Sequence, residues 1–132
     1  MGIIAYTVGD ALNRIKNAGN AGHPYVYVKK SKFLSRILDI MKSEGYIDSY
    51  EDGEKEFKYF YKVNLKYYKG KPVIKEIKIL SYPSRRLYIG YRDIKLYKNN
   101  MGIVIISTPR GVMTTAEAKK LGIGGMLICA IW

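Results

Sequence analysis

The sequence predicts an α+β protein of two lobes. An N-terminal α/β lobe, residues 1–69, reads helix–strand–helix–strand–strand, and a mainly β C-terminal lobe, residues 70–132, carries one short helix. Three observations support this. Two apolar stripes at helical spacing fall within the first 45 residues. Beyond them the apolar runs are short, β-branched or aromatic, and punctuated by Gly and Pro, as strands are. The charge also divides: residues 1–56 carry 8 Lys/Arg and 8 Asp/Glu, while residues 57–132 carry 15 and 3, so the whole net charge of +12 sits in the second part.

The elements follow in order. "TVGD" reads as a variant capping box, with Thr7 at the N-cap and Asp10 at the third helical position. Val8, Ala11, Leu12, Ile15 and Ala18 make the buried stripe of this first helix, and "NAGNAGHP" ends it. "YVYVK", Tyr25 to Lys29, is a strand. Ser31 caps a second helix that buries Leu34, Ile37, Leu38 and Met41 and stops at Gly45 in a left-handed conformation. "YIDSY" is the next strand, "EDGEKE" a hairpin turn containing Asp52–Gly53, and "FKYFYKVNLKYY" one long strand ending at "KGKP".

In the second lobe "VIKEIKIL" and "RRLYIGY" read as strands around the loop "SYPS". "GIVIIST" is a buried strand. "TTAEAKKLG" is a short helix with a capping box from Thr114 to Glu117 and a stop at Gly122. "MLICAIW" is the final strand.

At 132 residues and 48% hydrophobic, the chain holds enough apolar side chains for a core. A pI near 9.7 points to a polyanionic partner. No apolar run approaches the roughly 18 residues of a membrane span, so no membrane partner is expected. "MGIIAYTVGD" lacks the features of a signal or transit peptide. Cys129, the only cysteine, lies in the apolar run "MLICAI" and reads as a buried residue of a reducing compartment. His23 has no companion ligands, so no metal is expected. "STPRG" lacks the ending of a phosphate-binding Walker loop. The carboxylates of "DSYEDGEKE" look like an exposed turn rather than an acid–base pair. The sequence therefore suggests no catalytic residues, no cofactor and no small-molecule substrate.

The stretch "STPRGVMTTAEAKKLGIGG", followed by an apolar strand, resembles the C-terminal signature of the small-subunit ribosomal protein eight (bacterial-type S-eight) family. "DALNRIKNA", "KKSKF…EGYI", "SYPSRRLYIGYRDI" and "GIVIIST" resemble other segments of that family in the same order, from about Val8 to Trp132. The resemblance implies a two-lobed rRNA-binding protein of the small ribosomal subunit. It would contact the central domain of small-subunit rRNA early in assembly and sit beside neighbouring small-subunit ribosomal proteins. The main contacts would come from the signature segment, with support from the first helix. Pro109 stands where that family has serine, Arg110 where lysine is usual, Met126 where glutamate follows the double glycine, Lys29 where proline is common and Ser84 where glycine is.

Ser107, Thr108, Pro109, Arg110, Gly111 and Thr114 are therefore expected to form the primary RNA site. Hydroxyls and arginine suit phosphates, 2′-hydroxyls and unstacked bases. Arg14, Lys16 and Asn17, off the apolar stripe, are expected to add a secondary contact. Arg85, Arg86 and Tyr88 are expected on the same basic face, with Lys32 added from the start of the second helix. A non-ribosomal regulator that binds a messenger RNA mimicking the rRNA site is the alternative reading; a small nucleic-acid enzyme is a third, without a nucleophile or metal set to support it. Thirteen tyrosines and a preference for Lys (17) over Arg (6) suit an AT-rich coding sequence, and the composition is taken to favour an organelle-encoded mitochondrial protein over a bacterial cytoplasmic one.

Overall fold

The structure, a computed structural model, describes residues 2–97 and 102–132. Its chain divides into two compact units, Thr7–Lys75 and Glu76–Trp132, the second also taking in the segment that ends at Tyr6. The fold is α+β, with three helices and antiparallel sheets among the described residues. No helix among them is long and apolar enough to cross a membrane.

Helix α1 spans Gly2–Asn20. It does not begin at Thr7: "IIAY" contains neither glycine nor proline, so the backbone ladder runs on through the expected cap. The stripe is as expected, with Val8, Ala11, Leu12, Ile15 and Ala18 all buried. Gly22 (φ +80°) ends the helix, with the His23 N–H donating to the Ala18 carbonyl.

Strand β1 is Tyr25–Lys29 and helix α2 Lys32–Ser43. The Ser31 hydroxyl accepts from the Leu34 N–H at 3.0 Å. Leu34, Ile37, Leu38 and Met41 are buried, and Gly45 (φ +82°) closes the helix through Tyr46 N–H to Met41 C=O. Strands β2 (Ile47–Asp52) and β3 (Phe60–Leu65) complete an antiparallel sheet with β3 at its centre, in the order β1-β3-β2. Val28, Ile47 and Val63 are buried. On the α2 side the Tyr50 hydroxyl donates to Asp39 at 2.6 Å.

The turn between β2 and β3 is shifted from the expected residues 51–56 to 53–59, because β2 runs on through Glu51 and Asp52. The chain makes a 3₁₀ turn over Lys55–Phe57, with Lys55 at φ +56°, and β3 begins at Phe60 rather than Phe57. The cause is Phe57: its ring stacks on Tyr27 at 4.0 Å, which draws this segment off the ladder. Gly53 is needed there because a Cβ would lie 2.3 Å from the Phe57 carbonyl oxygen. The expected long strand breaks again after Leu65. Strands β4 (Tyr67–Tyr68) and β5 (Lys71–Pro72) form a small hairpin around Lys69 and Gly70, both at positive φ.

In the C-terminal unit, strands β6 (Ile77–Ile79) and β7 (Tyr88–Ile89) are shorter than expected. Both pair with one edge of the final strand, β10 (Gly125–Ile131), β6 with its end and β7 with its beginning. The buried Ser81 hydroxyl joins the two: it donates to the Leu127 carbonyl and accepts from the Leu87 N–H. A 3₁₀ segment follows over Tyr91–Tyr97 where the sequence suggested strand up to Tyr91. Strand β8 (Ile103–Thr108) pairs with the other edge of β10. Strand β9 (Gly111–Thr114) pairs back on β8, and helix α3 spans Thr115–Leu121, capped by Thr114 as expected. Val104, Ile106, Met113, Ala118, Leu127 and Ala130 form the core on one face of the sheet. Cys129 is buried on the other, where burial pushes its thiol up to about 12, so the thiolate is absent at neutral pH.

Candidate nucleic-acid interface

The signature segment is a hairpin rather than an open loop. Thr108 pairs with Gly111, leaving Pro109 and Arg110 exposed at the turn. The Thr108 hydroxyl donates to the Gly111 carbonyl at 2.8 Å and accepts from the Arg110 N–H at 3.1 Å. It thus closes the turn from within. Gly111 at φ +118° takes a conformation that a Cβ disfavours. The Thr114 hydroxyl accepts from the Glu117 N–H at 3.3 Å and is likewise engaged as a cap.

The double glycine has a packing reason. A Cβ on Gly125 would meet the Ser107 carbonyl oxygen at 2.0 Å, and one on Gly124 the Ile89 carbonyl oxygen at 2.2 Å. These glycines let β10 enter between β7 and β8. Met126 therefore lies opposite Tyr88 on one side and Ser107 on the other, and Ser107 lies opposite Val112. Cross-strand partners share a face, so Tyr88, Met126, Ser107 and Val112 make one row. Tyr88 is 65% exposed, while Leu87 and Ile89 pack on the core.

The sheet thus brings two separate sequence expectations, Ser107 and Tyr88, onto a common surface. Arg85 and Arg86 are exposed but lie before β7. Strand alternation therefore fixes Tyr88 and does not fix Arg86. Arg85 instead exchanges backbone hydrogen bonds with Tyr82 across Pro83 and Ser84. Tyr82, Tyr91 and Arg92 are exposed in the same stretch, and the Arg92 guanidinium lies 5.8 Å from the Tyr91 ring. Met126 joins the row only through strand pairing, which no local sequence signal discloses.

In the other unit, Arg14 is exposed on α1 and pairs with Asp10 at 3.3 Å. Asn17 is exposed, Lys16 half-buried, and Lys32 is exposed at the first residue of α2. These residues belong to the Thr7–Lys75 unit, and the hairpin row to the other. Among the described residues no group of His, Cys, Asp and Glu is arranged to hold a metal ion. His23 is an exposed loop residue whose carbonyl accepts from the Tyr67 hydroxyl.

The chain matches the family described as ribosomal protein S8 over residues 6–132. It is 45% identical over 130 residues to small ribosomal subunit protein uS8 of Borreliella burgdorferi (strain ZS7), covering 98% of each chain. It is 40% identical to the protein of that name from Ruegeria sp. (strain TM1040), covering 95% of this chain and 97% of the relative. For the Nitratidesulfovibrio vulgaris (strain DSM 19637 / Miyazaki F) protein of that name the identity is 44%, with 95% and 96% covered. These relatives are bacterial, and the expected organelle origin finds no support among them. Its basis was base composition, which AT-rich bacteria and organelles share. The family match spans both units from Tyr6 to the last residue, and on that evidence the chain belongs to the ribosomal protein S8 family.

Proposed function

We propose that this protein is a structural constituent of the small ribosomal subunit, that it binds the central domain of small-subunit rRNA directly, and that it has no catalytic role. The observation that carries the RNA reading is the internally latched hairpin turn beside the Tyr88–Met126–Ser107 row. A rigid turn loses little conformational freedom on binding. It presents the Arg110 guanidinium for a phosphate, the Ser107 hydroxyl for a sugar or base edge, and the Tyr88 ring for stacking. Thr108, Gly111 and Pro109 shape this surface, and Thr114 fixes the helix that follows. Arg85 and Arg86 add positive charge nearby in sequence. Arg14, Lys16, Asn17 and Lys32 form a separate, secondary contact. Neighbouring small-subunit ribosomal proteins complete the set of partners, and the ribosome is the site of action.

The test is footprinting of small-subunit rRNA with the parent protein and with Arg110→Ala. The parent is expected to protect a discrete site in the central domain. The variant is expected to bind more weakly, with the slope of log affinity against log salt reduced by about one. Absence of a protected site, or an unchanged slope in a folded variant, overturns the reading.

A further inference from the structure

The N-terminal sheet has a second face, on the side away from α2, and its chemistry differs from that of the hairpin surface. The strand register puts Tyr25, Tyr27 and Lys29 on the same side as Phe60, Lys62 and Asn64 of β3 and Ser49 and Glu51 of β2. This is the side opposite Val28, Val63 and Tyr50, which face α2. Four aromatic rings run across it in sequence. Tyr25 meets Tyr27 edge-on at 5.6 Å, Tyr27 stacks on Phe57 at 4.0 Å, and Phe57 meets Phe60 edge-on at 6.0 Å. At the Phe57 end the wide turn folds up into a concavity of about 360 Å³. It is lined by the rings of Tyr27 and Phe57, by the carboxylates of Glu51, Asp52, Glu54 and Glu56, and by Lys55 and Lys62.

Such a contiguous aromatic surface calls for a partner. Two occupants fit aromatic rings on an open sheet: unpaired RNA bases and a protein segment. The charge decides between them. Residues 51–56 contain four of the chain's 11 carboxylates, Glu51, Asp52, Glu54 and Glu56, against Lys55 alone, and with Lys62 the concavity's lining holds four carboxylates to two lysines. Asp52 is paired with Lys30 at 2.9 Å, whereas Glu54 and Glu56 have no ion pair among the described residues. Phosphates brought here would meet those carboxylates, and repulsion at this range costs binding. A guanidinium would instead stack on an aromatic ring and pair with a carboxylate at once. Lys62 already illustrates the first half of that geometry, with its ammonium 4.4 Å from the Tyr25 ring.

We propose that the outer face of the β1-β3-β2 sheet, with the Tyr27–Phe57 concavity at its end, docks an arginine-bearing, partly apolar segment of another protein. Arginine enters the concavity between the stacked rings and the Glu51, Glu54 and Glu56 carboxylates, and apolar side chains cover Tyr25 and Phe60. This deepens the protein-partner part of the function proposed above, and its test leaves every residue of the proposed RNA site intact.

The probe is a capped peptide of alternating arginine and leucine, titrated into the full-length protein with backbone amide NMR shifts as the readout. A matched glutamate–leucine peptide and an oligouridine serve as competing probes. The arginine peptide is expected to shift the amides of residues 25–29 and 51–62 saturably. The triple variant Glu51→Gln, Glu54→Gln, Glu56→Gln is expected to weaken it at least tenfold while binding the central-domain RNA as the parent does. A second variant, Phe57→Leu, keeps the charges and is expected to weaken the peptide severalfold. The proposal is overturned if the arginine peptide shifts nothing on this face, if the triple variant binds it as the parent does, or if oligouridine produces the shifts instead. A parent that binds the peptide but protects no rRNA would sink the RNA reading and leave this one standing.

Discussion

The β8–β9 and β2–β3 turns both join antiparallel strands, and they are built in opposite ways. The turn from β8 to β9 is tight, with only Pro109 and Arg110 between the paired residues Thr108 and Gly111, and it is latched by a hydroxyl. The turn from β2 to β3 is wide, closed by the Gly53 N–H on the Phe60 carbonyl at 2.9 Å and anchored by an aromatic stack. The first carries an arginine on a unit rich in positive charge, and the second Glu54 and Glu56 beside Glu51 and Asp52 at the end of β2. The difference teaches what sets a turn's width: the nearest side chain able to bind it back. A short hydroxyl reaches only its own hairpin. A phenylalanine reaches the neighbouring strand and takes several residues with it.

The severest way to break the comparison is at the glycines that seat each turn. Gly125→Ala would drive a Cβ into the Ser107 backbone, at the base of the tight hairpin. Separating β8 from β10 there is expected to cost about 3 kcal/mol, and to lower the melting temperature by on the order of 10 °C. Gly53→Ala also meets backbone, at Phe57, but in an exposed turn that can open. It is expected to cost about half as much, on the order of 1.5 kcal/mol. Thermal unfolding by circular dichroism compares them, and equal losses would mean that the wide turn is as constrained as the tight one.

Next in size is the latch. Thr108→Val keeps the shape and removes both hydroxyl hydrogen bonds, for a loss of about 1–2 kcal/mol. Amide exchange at Arg110 should accelerate, because its N–H donates to that hydroxyl, and RNA affinity should fall as the turn loosens. An unchanged Arg110 exchange rate would show that Pro109 alone holds the turn. The counterpart, Phe57→Leu, removes the stack on Tyr27 and is expected to cost about 1 kcal/mol. It should loosen residues 53–59 and leave RNA affinity as it was. A fall in RNA affinity would contradict the assignment of the two turns to different partners.

The sequence was readable where the determinants are local. Ser31 and Thr114 cap as expected, Gly45 and Gly122 stop their helices at φ +82° and +69°, and the first helical stripe is buried residue for residue. Thr7 misled because a capping pattern does not by itself end the helix before it; only a breaker or a competing partner would. The turn over "EDGEKE" is legible, but its extension past Phe57 is not, because that depends on Tyr27, a residue 30 positions from Phe57. Strand β9 was hidden because "GVMT" has no pattern of its own and is made a strand by pairing with β8. Ser107 to Thr114 lie on one hairpin, but the inward task of the Thr108 hydroxyl depends on its contact with Gly111. Met126 enters the surface only through two pairings across β10.

The smallest expected effect tests whether the acidic side of the N-terminal unit also governs its own stability. Burial is the main cause that pushes the Tyr50 hydroxyl up from 10.0 to about 12, followed by its hydrogen bond to Asp39 and the charges of Asp39, Tyr61 and Asp52. A phenol whose pKa is raised by folding stabilises the folded state fully below the unfolded value. That contribution is lost as pH rises from about 10 to about 12. Tyr50→Phe cannot ionise, so its stability should fall less steeply than the parent's across that window. At neutral pH it should lose no more than about 1 kcal/mol, since the partly exposed bond to Asp39 competes with water. Urea unfolding of the two proteins at pH 7, 10 and 11.5 makes the comparison, with the other tyrosines and the lysines common to both. Parallel pH dependences would mean that Tyr50 is no more strongly held than an exposed tyrosine.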